Sequence, residues 1–428
     1  MAKKSEKLEE INTIFNTEEN KIFTSNGEEM YEVDMNAKFI ENIKEQSLMI
    51  MDERHEGYVL HSVESILLVV IFSQMANCKT FPEIHDFICE HYKWLDKYIK
   101  FENGIPSIST IQRVVAFINP KALEEILTNA IKQFNKENKP IYHLGSTKID
   151  DIITVDGKTA NSSDRKSSKN GPIPKTNAMS AYSIKGNRCL ATEFISEKTN
   201  EIPTCPILLD RLNIKDCIVT FDALNTQQDT IKYIVKHKGH YVAPVKGNHK
   251  DLHNDIRDYF LDPDNVEIIR NQNYKVVKDY KNNFNETREY GFTDDIDWLF
   301  GKENWKNIKS IGFAKRTYRS ENGEIKTDVR YYISDLSPDN LPVIIDAIRG
   351  EWKIECNLHY YLDVVFGEDK NTCFALNTQK NLNIIRKFVQ ALLIDFKKAE
   401  NRSMVRVMKT FSYDFENQIQ RLLTYHTN

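Results

Sequence analysis

The 428-residue sequence predicts a mixed α/β protein: a helical N-terminal domain, a sheet of strands alternating with helices, and a β-rich block before the last helices. Three observations predict it. Helical periodicity before residue 140 gives way to strand-like runs from Ile149 onward. Two of those runs, "IITVDG" (Ile152 to Gly157) and "CIVTFDAL" (Cys217 to Leu224), are continuously apolar and end on a carboxylate. A run apolar on both faces reads as a strand covered by helices on either side. The third is a stretch of strand patterns between about 270 and 335, with few helical signals among them.

The elements follow in order. Residues 1–36 hold nine acids and four bases, a net of −5, and precede a helix. From Val59 to Glu90 the pattern is helical, and Thr80-Phe81-Pro82 stops and restarts it. Ser107 or Ser109 caps "STIQRVVAFI", and Asn119-Pro120 supplies an N-cap and a first-turn proline for "KALEEILTNAIKQF". These short helices fit a helix-turn-helix DNA reader or a plain bundle equally well. Strands are expected at 152–156, 178–184, 189–195, 218–222 and 241–245, with helices at about 203–213, 226–238 and 249–260. Then come "YKVVKDYK", "NETREYGF", "SIGFAKRTYRS" and "TDVRYYIS", the last two joined by an "ENG" turn. After Pro338 and Pro342 the chain is largely helical.

Composition bounds the function. Hydrophobic residues make up 40% and charged residues 28%, ordinary for a soluble globular protein. The longest apolar run, "ILLVVIF" (Ile66 to Phe72), is far short of the roughly 20 residues of a membrane span, and "MAKKSEKLEE" lacks a signal-peptide core. A cytoplasmic protein is expected. Seven cysteines without a CxxC pair read as reduced thiols; Cys189, Cys205 and Cys217 fit no zinc spacing. No phosphate-binding Gly-x-x-x-x-Gly-Lys loop and no Gly-x-Ser-x-Gly elbow is present. The net charge of −4 hides uneven distribution. Residues 157–188 hold seven Lys/Arg and one Asp, residues 380–409 eight Lys/Arg and two acids, and residues 231–250 five Lys and three His without an acid. Such stripes suit contact with a polyanion, although any single one is more often a solvated face.

A carboxylate closing a buried strand costs desolvation unless a positive partner meets it. Asp156 and Asp222 both do so, which suggests a shared cation. In "RGEWKIECNLHYYLDVVFGED" (Arg349 to Asp369), Ile354, Leu358, Tyr361, Leu362 and Val365 form a buried stripe. Glu351, Glu355, His359 and Asp363 form a second at i, i+4 steps, able to lay an acid against the strand ends. An amphipathic helix with a solvated edge is the commoner reason for such a stripe. Three converging carboxylates are what paired divalent ions in phosphodiester chemistry require.

The stretches "VDGKT", "SAYSIKGNRCLATEFISEKTNEIP", "LLDRLNIKDCIVTFDAL", "HYVAPVKGNHKDL" and "EWKIECNLHYYLDVVFGED" resemble the H-repeat-associated DDE transposases of bacterial insertion sequences. The upstream "DERHEGYVLHSVESILLVVIFSQMANCKTFPEI" and "GIPSISTIQRV" resemble that family's helical N-terminal domain, so the likeness runs from about residue 50 onward in the family's order. It implies an RNase H-like mixed-sheet catalytic core interrupted by a β-rich insertion, with an all-helical N-terminal domain. The family's three carboxylates fall on Asp156, Asp222 and Glu355, expected to be both catalytic and metal-binding. The resemblance implies Mg²⁺, with Mn²⁺ able to substitute, and two ions. Lys246, Gly247 and Asn248 match its Lys-Gly-Asn motif, and Glu197, Lys198, Asn200 and Glu201 match a second. Departures from the pattern are Glu351 for a His, Cys356 for an Asn and Tyr360 for a Trp.

The expected protein is a transposase that binds the terminal inverted repeats of its own element, cleaves there and transfers the strands to target DNA. Lys158, Lys198, Lys246, Asn248 and Arg386 are its expected DNA contacts. Its partner is double-stranded DNA, at element ends and target, engaged by a homodimer, with no membrane. A metal-dependent nuclease without strand transfer, or a DNA-binding protein derived from a transposase, is the alternative. The expected divisions are an acidic segment (1–48), a helical domain (49–140), the first part of the core (141–265), the β-rich insertion (266–337), and a core completion with catalytic helix and basic helical tail (338–428).

Overall fold

A computed structural model describes residues 35–48, 50, 52, 54, 59–132, 141–144, 147–160, 175–195, 200–281, 284–320, 322–370, 373 and 375–427, and short strands at Ile14–Asn16, Lys21–Phe23 and Glu29–Glu32. The chain forms two compact units. One comprises residues 1–136, 365–367 and 375–428, the other residues 137–364 and 368–374.

The first unit is mainly helical. Its central helix, Val63–Met75, is buried all round because "ILLVVIF" offers no polar face. Thr80 caps Phe81–Glu90 through a reciprocal box with Glu83, Ser107 caps Ile108–Phe117, and the Asn119 side chain accepts from the first amides of Pro120–Lys132. Phe72, Phe87, Trp94 and Phe411 meet Phe415 with ring centroids 5.1–6.0 Å apart, mostly edge to face. Residues 338–428 were expected to complete the core together, but Leu376–Ala399, Met404–Tyr413 and Phe415–Thr427 pack here instead. Asn381 Nδ2 donates to the carbonyls of Val115 and Ile118, both at 2.8 Å, and Ser412 Oγ to that of Ala76 at 2.6 Å. Among the described residues, no helix is long and apolar enough to cross a membrane.

The second unit is built on nine strands: β1 (Asp151–Ala160), β2 (Thr176–Ser183), β3 (Arg188–Ile195), β4 (Cys217–Phe221), β5 (His240–Val245), β6 (Tyr274–Lys281), β7 (Phe284–Thr293), β8 (Ser310–Arg319) and β9 (Ile325–Ser334). They form one mixed sheet in the order β6-β7-β8-β9-β5-β4-β1-β2-β3. β1, β4 and β5 run parallel, while β1-β2-β3 and β6-β7-β8-β9 are antiparallel meanders. The β-rich block thus continues the sheet, with β9 pairing antiparallel to β5 from Val242↔Ser334 to Val245↔Tyr331. A helix at Pro263–Gln272, capped by Asp262, precedes it and was not expected from the sequence.

Alternation divides the strands between two cores. Ile153, Val155, Val219 and Phe221 face a core shared with helices Glu201–Asp210, Gln228–Lys236 and Lys250–Leu261. Ile152 and Ile218 face the other, covered by helix Leu341–Ile354 through Ile344, Ala347 and Ile348. That helix lies close on β1: a Cβ on Gly350 would stand 3.1 Å from Thr154 Oγ1. A glycine there lets the helix deliver the residues after it to the sheet's end.

Candidate active site

The β1–β4 register sets the site. Val155 pairs with Phe221, so Asp156 and Asp222 follow at the same level on adjacent parallel strands. Asp222 is held from below. The backbone N–H and side-chain amide of Asn225 donate to its Oδ1 at 3.1 and 2.8 Å. Asn248 Nδ2 donates to the neighbouring Ala223 carbonyl at 2.8 Å, so this expected DNA contact fastens the loop carrying Asp222.

The opposite wall is helical. After Ile354 the helix widens into i→i+5 turns at Glu355–His359 and Tyr361–Val365. Such turns are rare and frequent at functional sites. Leu358, Tyr361 and Leu362 are buried as the stripe required. Glu351, Glu355, His359 and Asp363 join Asp156, Asp222, Lys246 and Arg330 around one cavity of about 900 Å³. Asp156, Glu355 and His359 offer ligand atoms lying within 4.8 Å of one another. The sequence placed His359 on this stripe without giving it a role.

Electrostatics mark the cavity as short of positive charge. Burial pushes the Asp156 carboxyl up to about 8, and the charges of Glu355 and Asp222 add to the shift. Glu355 is held below the usual range, chiefly by the His359 side chain. Burial pushes Glu351 up to about 8 against the opposing pull of Arg330, whose Nη1 stands 3.2 Å from Glu351 Oε2. Glu201 is a further acid: burial and then the Asp222 charge raise it. It lies against Gly157, where a Cβ would stand only 2.4 Å from its Oε1. The small residue after Asp156 therefore admits a further carboxylate.

The expected basic contacts divide. Lys246 is exposed at the cavity. Lys158 is not free to meet a phosphate: its Nζ stands 2.6 Å from Asp363 Oδ1 and 3.6 Å from Glu368 Oε2, with 10% of the side chain exposed. Burial alone would lower this ammonium, but Glu368 and Asp363 reverse that and hold it above its usual range. Arg386 is 1% exposed inside the helical unit, where its Nε donates to Gln74 Oε1 at 3.3 Å. The phosphate contact expected there gives way to a buried role. Lys198 and residues 161–174 of the first basic stripe lie outside the described residues.

A second concavity, of about 520 Å³, lies beside the first and shares Arg330, Trp352 and Cys356 with it. Arg288, Arg316 and Arg349 also line it.

Residues 148–392, more than half the chain, match the family described as Transposase DDE domain. The chain belongs to the DDE transposase family. Residues 48–130 match the companion family described as DDE_Tnp_1-associated. This transposase is 30% identical over 365 residues to "Putative transposase YncI" of Escherichia coli O157:H7, covering 84% of the chain and 88% of that protein. It is 32% identical over 342 residues to "H repeat-associated putative transposase YhhI" of Escherichia coli strain K12, covering 77% and 84%. A solved piggyBac transposase synaptic complex with hairpin DNA aligns over 91% of the chain and 79% of its own at 12% identity, with a TM-score of 0.37, too slight a likeness to bear on the fold.

A DDE-type transposase acts on DNA and depends on a divalent metal ion. The residues present fit such an ion. Oxygen donors from Asp156 and Glu355 cluster with a buried imidazole, and a cation would offset the burial and, after it, the carboxylate repulsion that raise Asp156.

Proposed function

We propose that this transposase binds the terminal inverted repeats of its own insertion sequence, hydrolyses the phosphodiester bonds at its ends and joins the freed 3′-hydroxyls to target DNA. The observation that carries the reading is Asp156 within β1 and Asp222 just past the end of β4, side by side on adjacent parallel strands and facing Glu355 across one cavity. The order β3-β2-β1-β4-β5, with β2 alone reversed, supports an RNase H-like core. On this reading β6 to β9 are its insertion, lying in sequence between the core strands and helix Leu341–Ile354.

Asp156, Asp222 and Glu355 would hold the metal, with Mg²⁺ as the physiological ion and two ions in the full site. With divalent ions bound, the site would supply an activated water or hydroxyl and charge stabilisation at the leaving 3′ oxygen. The chain's own groups do the rest. Asn225 and Asn248 fix the loop that aims Asp222, and helix Leu341–Ile354 sets the depth of Glu355. Lys246 at the cavity is placed to meet a phosphate, and the arginines of the neighbouring concavity extend that contact along the duplex. An element has two ends, and a homodimer on DNA would give each a catalytic site.

The test is a donor plasmid carrying the DNA that flanks the coding region, incubated with the protein, a target and Mg²⁺ or Mn²⁺. Excision with joined products is expected. Cleavage without joining would support a nuclease, and no cleavage from the wild type with either metal would reject the catalytic reading.

A further inference from the structure

We infer that His359 is a direct metal ligand, making a mixed nitrogen–oxygen site with Asp156 and Glu355 that prefers Mn²⁺ to Mg²⁺. The inference rests on the proposed metal-dependent site and adds a ligand to the three carboxylates. His359 Nδ1 lies 3.5 Å from Asp156 Oδ2 and 3.6 Å from Glu355 Oε2. Both gaps exceed the roughly 2.7–3.2 Å of a hydrogen bond from nitrogen to oxygen. They lie at the tetrahedral end of the spacing of donors around one cation, about half an ångström wider than an octahedral edge, which the side chains would have to close around Mn²⁺. Ligands about 2.1–2.2 Å from an ion stand roughly 3.0 Å apart on an octahedral edge and about 3.5 Å apart on a tetrahedral one.

Burial adds a second, independent argument. The His359 ring is 6% exposed, and its Nε2 has no hydrogen-bond partner among the described residues. Nδ1 is the ring atom that faces the two carboxylates, and an imidazole nitrogen is a common metal donor. Imidazole nitrogen favours first-row transition ions over Mg²⁺, which prefers oxygen, and Mn²⁺ is the most weakly bound of that series. The widened helical turn places Glu355 and His359 together on the cavity side of the helix.

The test uses the full chain and Mn²⁺ alone. Titration followed by continuous-wave electron paramagnetic resonance gives the affinity, and electron spin echo modulation reports nitrogen bound to Mn²⁺. The expected wild-type signal carries ¹⁴N modulation that changes to the ¹⁵N pattern when histidine is ¹⁵N-labelled. His359→Gln should lose the modulation and bind Mn²⁺ about tenfold or more weakly, with Mg²⁺ affinity changed less than about threefold. If His359→Gln does not fold, the labelled wild type decides alone. Tight Mn²⁺ binding that Asp156→Asn destroys, with no nitrogen modulation in the wild type, overturns the inference and leaves the carboxylate site standing. Mn²⁺ binding absent from the wild type, or untouched by Asp156→Asn and Asp222→Asn, overturns both.

Discussion

Two concavities share Arg330, Trp352 and Cys356 and differ in almost everything else. The larger draws its acids from the middle of β1, the end of β4 and one helical stripe, each a short contiguous motif. The smaller draws its arginines from β7, β8, β9 and the helix, one from each. Cross-strand register brings them together: Arg288 pairs with Arg316, Arg316 with Asp328, and Ala314 with Arg330. Even there the charge is partly spent, since Arg288 and Arg316 both bridge to Glu286 and Arg349 stands 3.7 Å from Asp279. The proposed cation site is written locally in this sequence. The proposed phosphate surface is assembled by sheet topology.

The sharpest way to break that contrast is to remove the acids one at a time. Asp156→Asn, Asp222→Asn and Glu355→Gln should each lower DNA cleavage about a thousandfold or more, roughly 4 kcal/mol of barrier, while DNA affinity stays within about twofold. Asp363→Asn should be impaired and Glu351→Gln closest to wild type. Gel-based cleavage with Mn²⁺ and a parallel binding titration separate the two effects. If Glu355→Gln cleaves well and Asp363→Asn is dead, the helix register is assigned two turns wrong.

Lys158 tests the boundary between the two kinds of site, because it is a base buried among acids. Lys158→Met would strand the Asp363 and Glu368 carboxylates and should cost about 3 kcal/mol of stability, measured by chemical denaturation. The slope of log affinity against log salt should not move. A lower slope with unchanged stability would return Lys158 to the phosphate surface.

The acid cavity should also make the metal-free protein sensitive to pH. The folded-state value of Asp156, about 8, lies above its unfolded value of 3.8, so the folded chain binds more protons in between. Stability from this group is complete below about pH 4 and is lost as pH rises toward 8. The melting temperature of the metal-free wild type should fall from pH 5 to pH 8 more steeply than that of Asp156→Asn, and Mn²⁺ at pH 8 should restore it. Parallel curves for the two proteins would remove burial and repulsion as the cause.

The smallest effect belongs to the basic concavity. Affinity for element ends should fall steeply between about 50 and 200 mM salt. Arg316→Ala with Arg349→Ala should weaken binding about tenfold and reduce the salt slope by about one for each phosphate no longer neutralised, with cleavage of bound DNA preserved. An unchanged slope would place the phosphates elsewhere.

The same contrast explains what the sequence made legible. Asp156 and Asp222 stood out because a carboxylate closing an apolar run is costly, and all five expected core strands formed, although β1 does not end at Asp156 as expected but continues to Ala160. Glu355 was found through its motif, and its helical stripe foretold His359 and Asp363 on the same wall. Lys158 and Arg386 were misread because a cation's letter is the same whether it meets solvent or a buried acceptor. The basic concavity was invisible, since the pairing of Arg288 with Arg316 needs a hairpin register that alternation alone does not supply. The 24-residue helix Leu376–Ala399 announced its burial but not its neighbours.

Those neighbours carry a consequence in time. The helices ending at Lys132 share a unit with helices that begin at Leu376. A ribosome adding roughly 5–20 residues per second needs about 12–50 s to cross the stretch of roughly 240 residues between them. During that interval the sheet-bearing unit is made whole while the helical unit waits for its second half. Limited proteolysis of stalled nascent chains would then show the catalytic unit protected before the helical one, and a chain broken off near residue 370 would carry the acids without the completed helical unit.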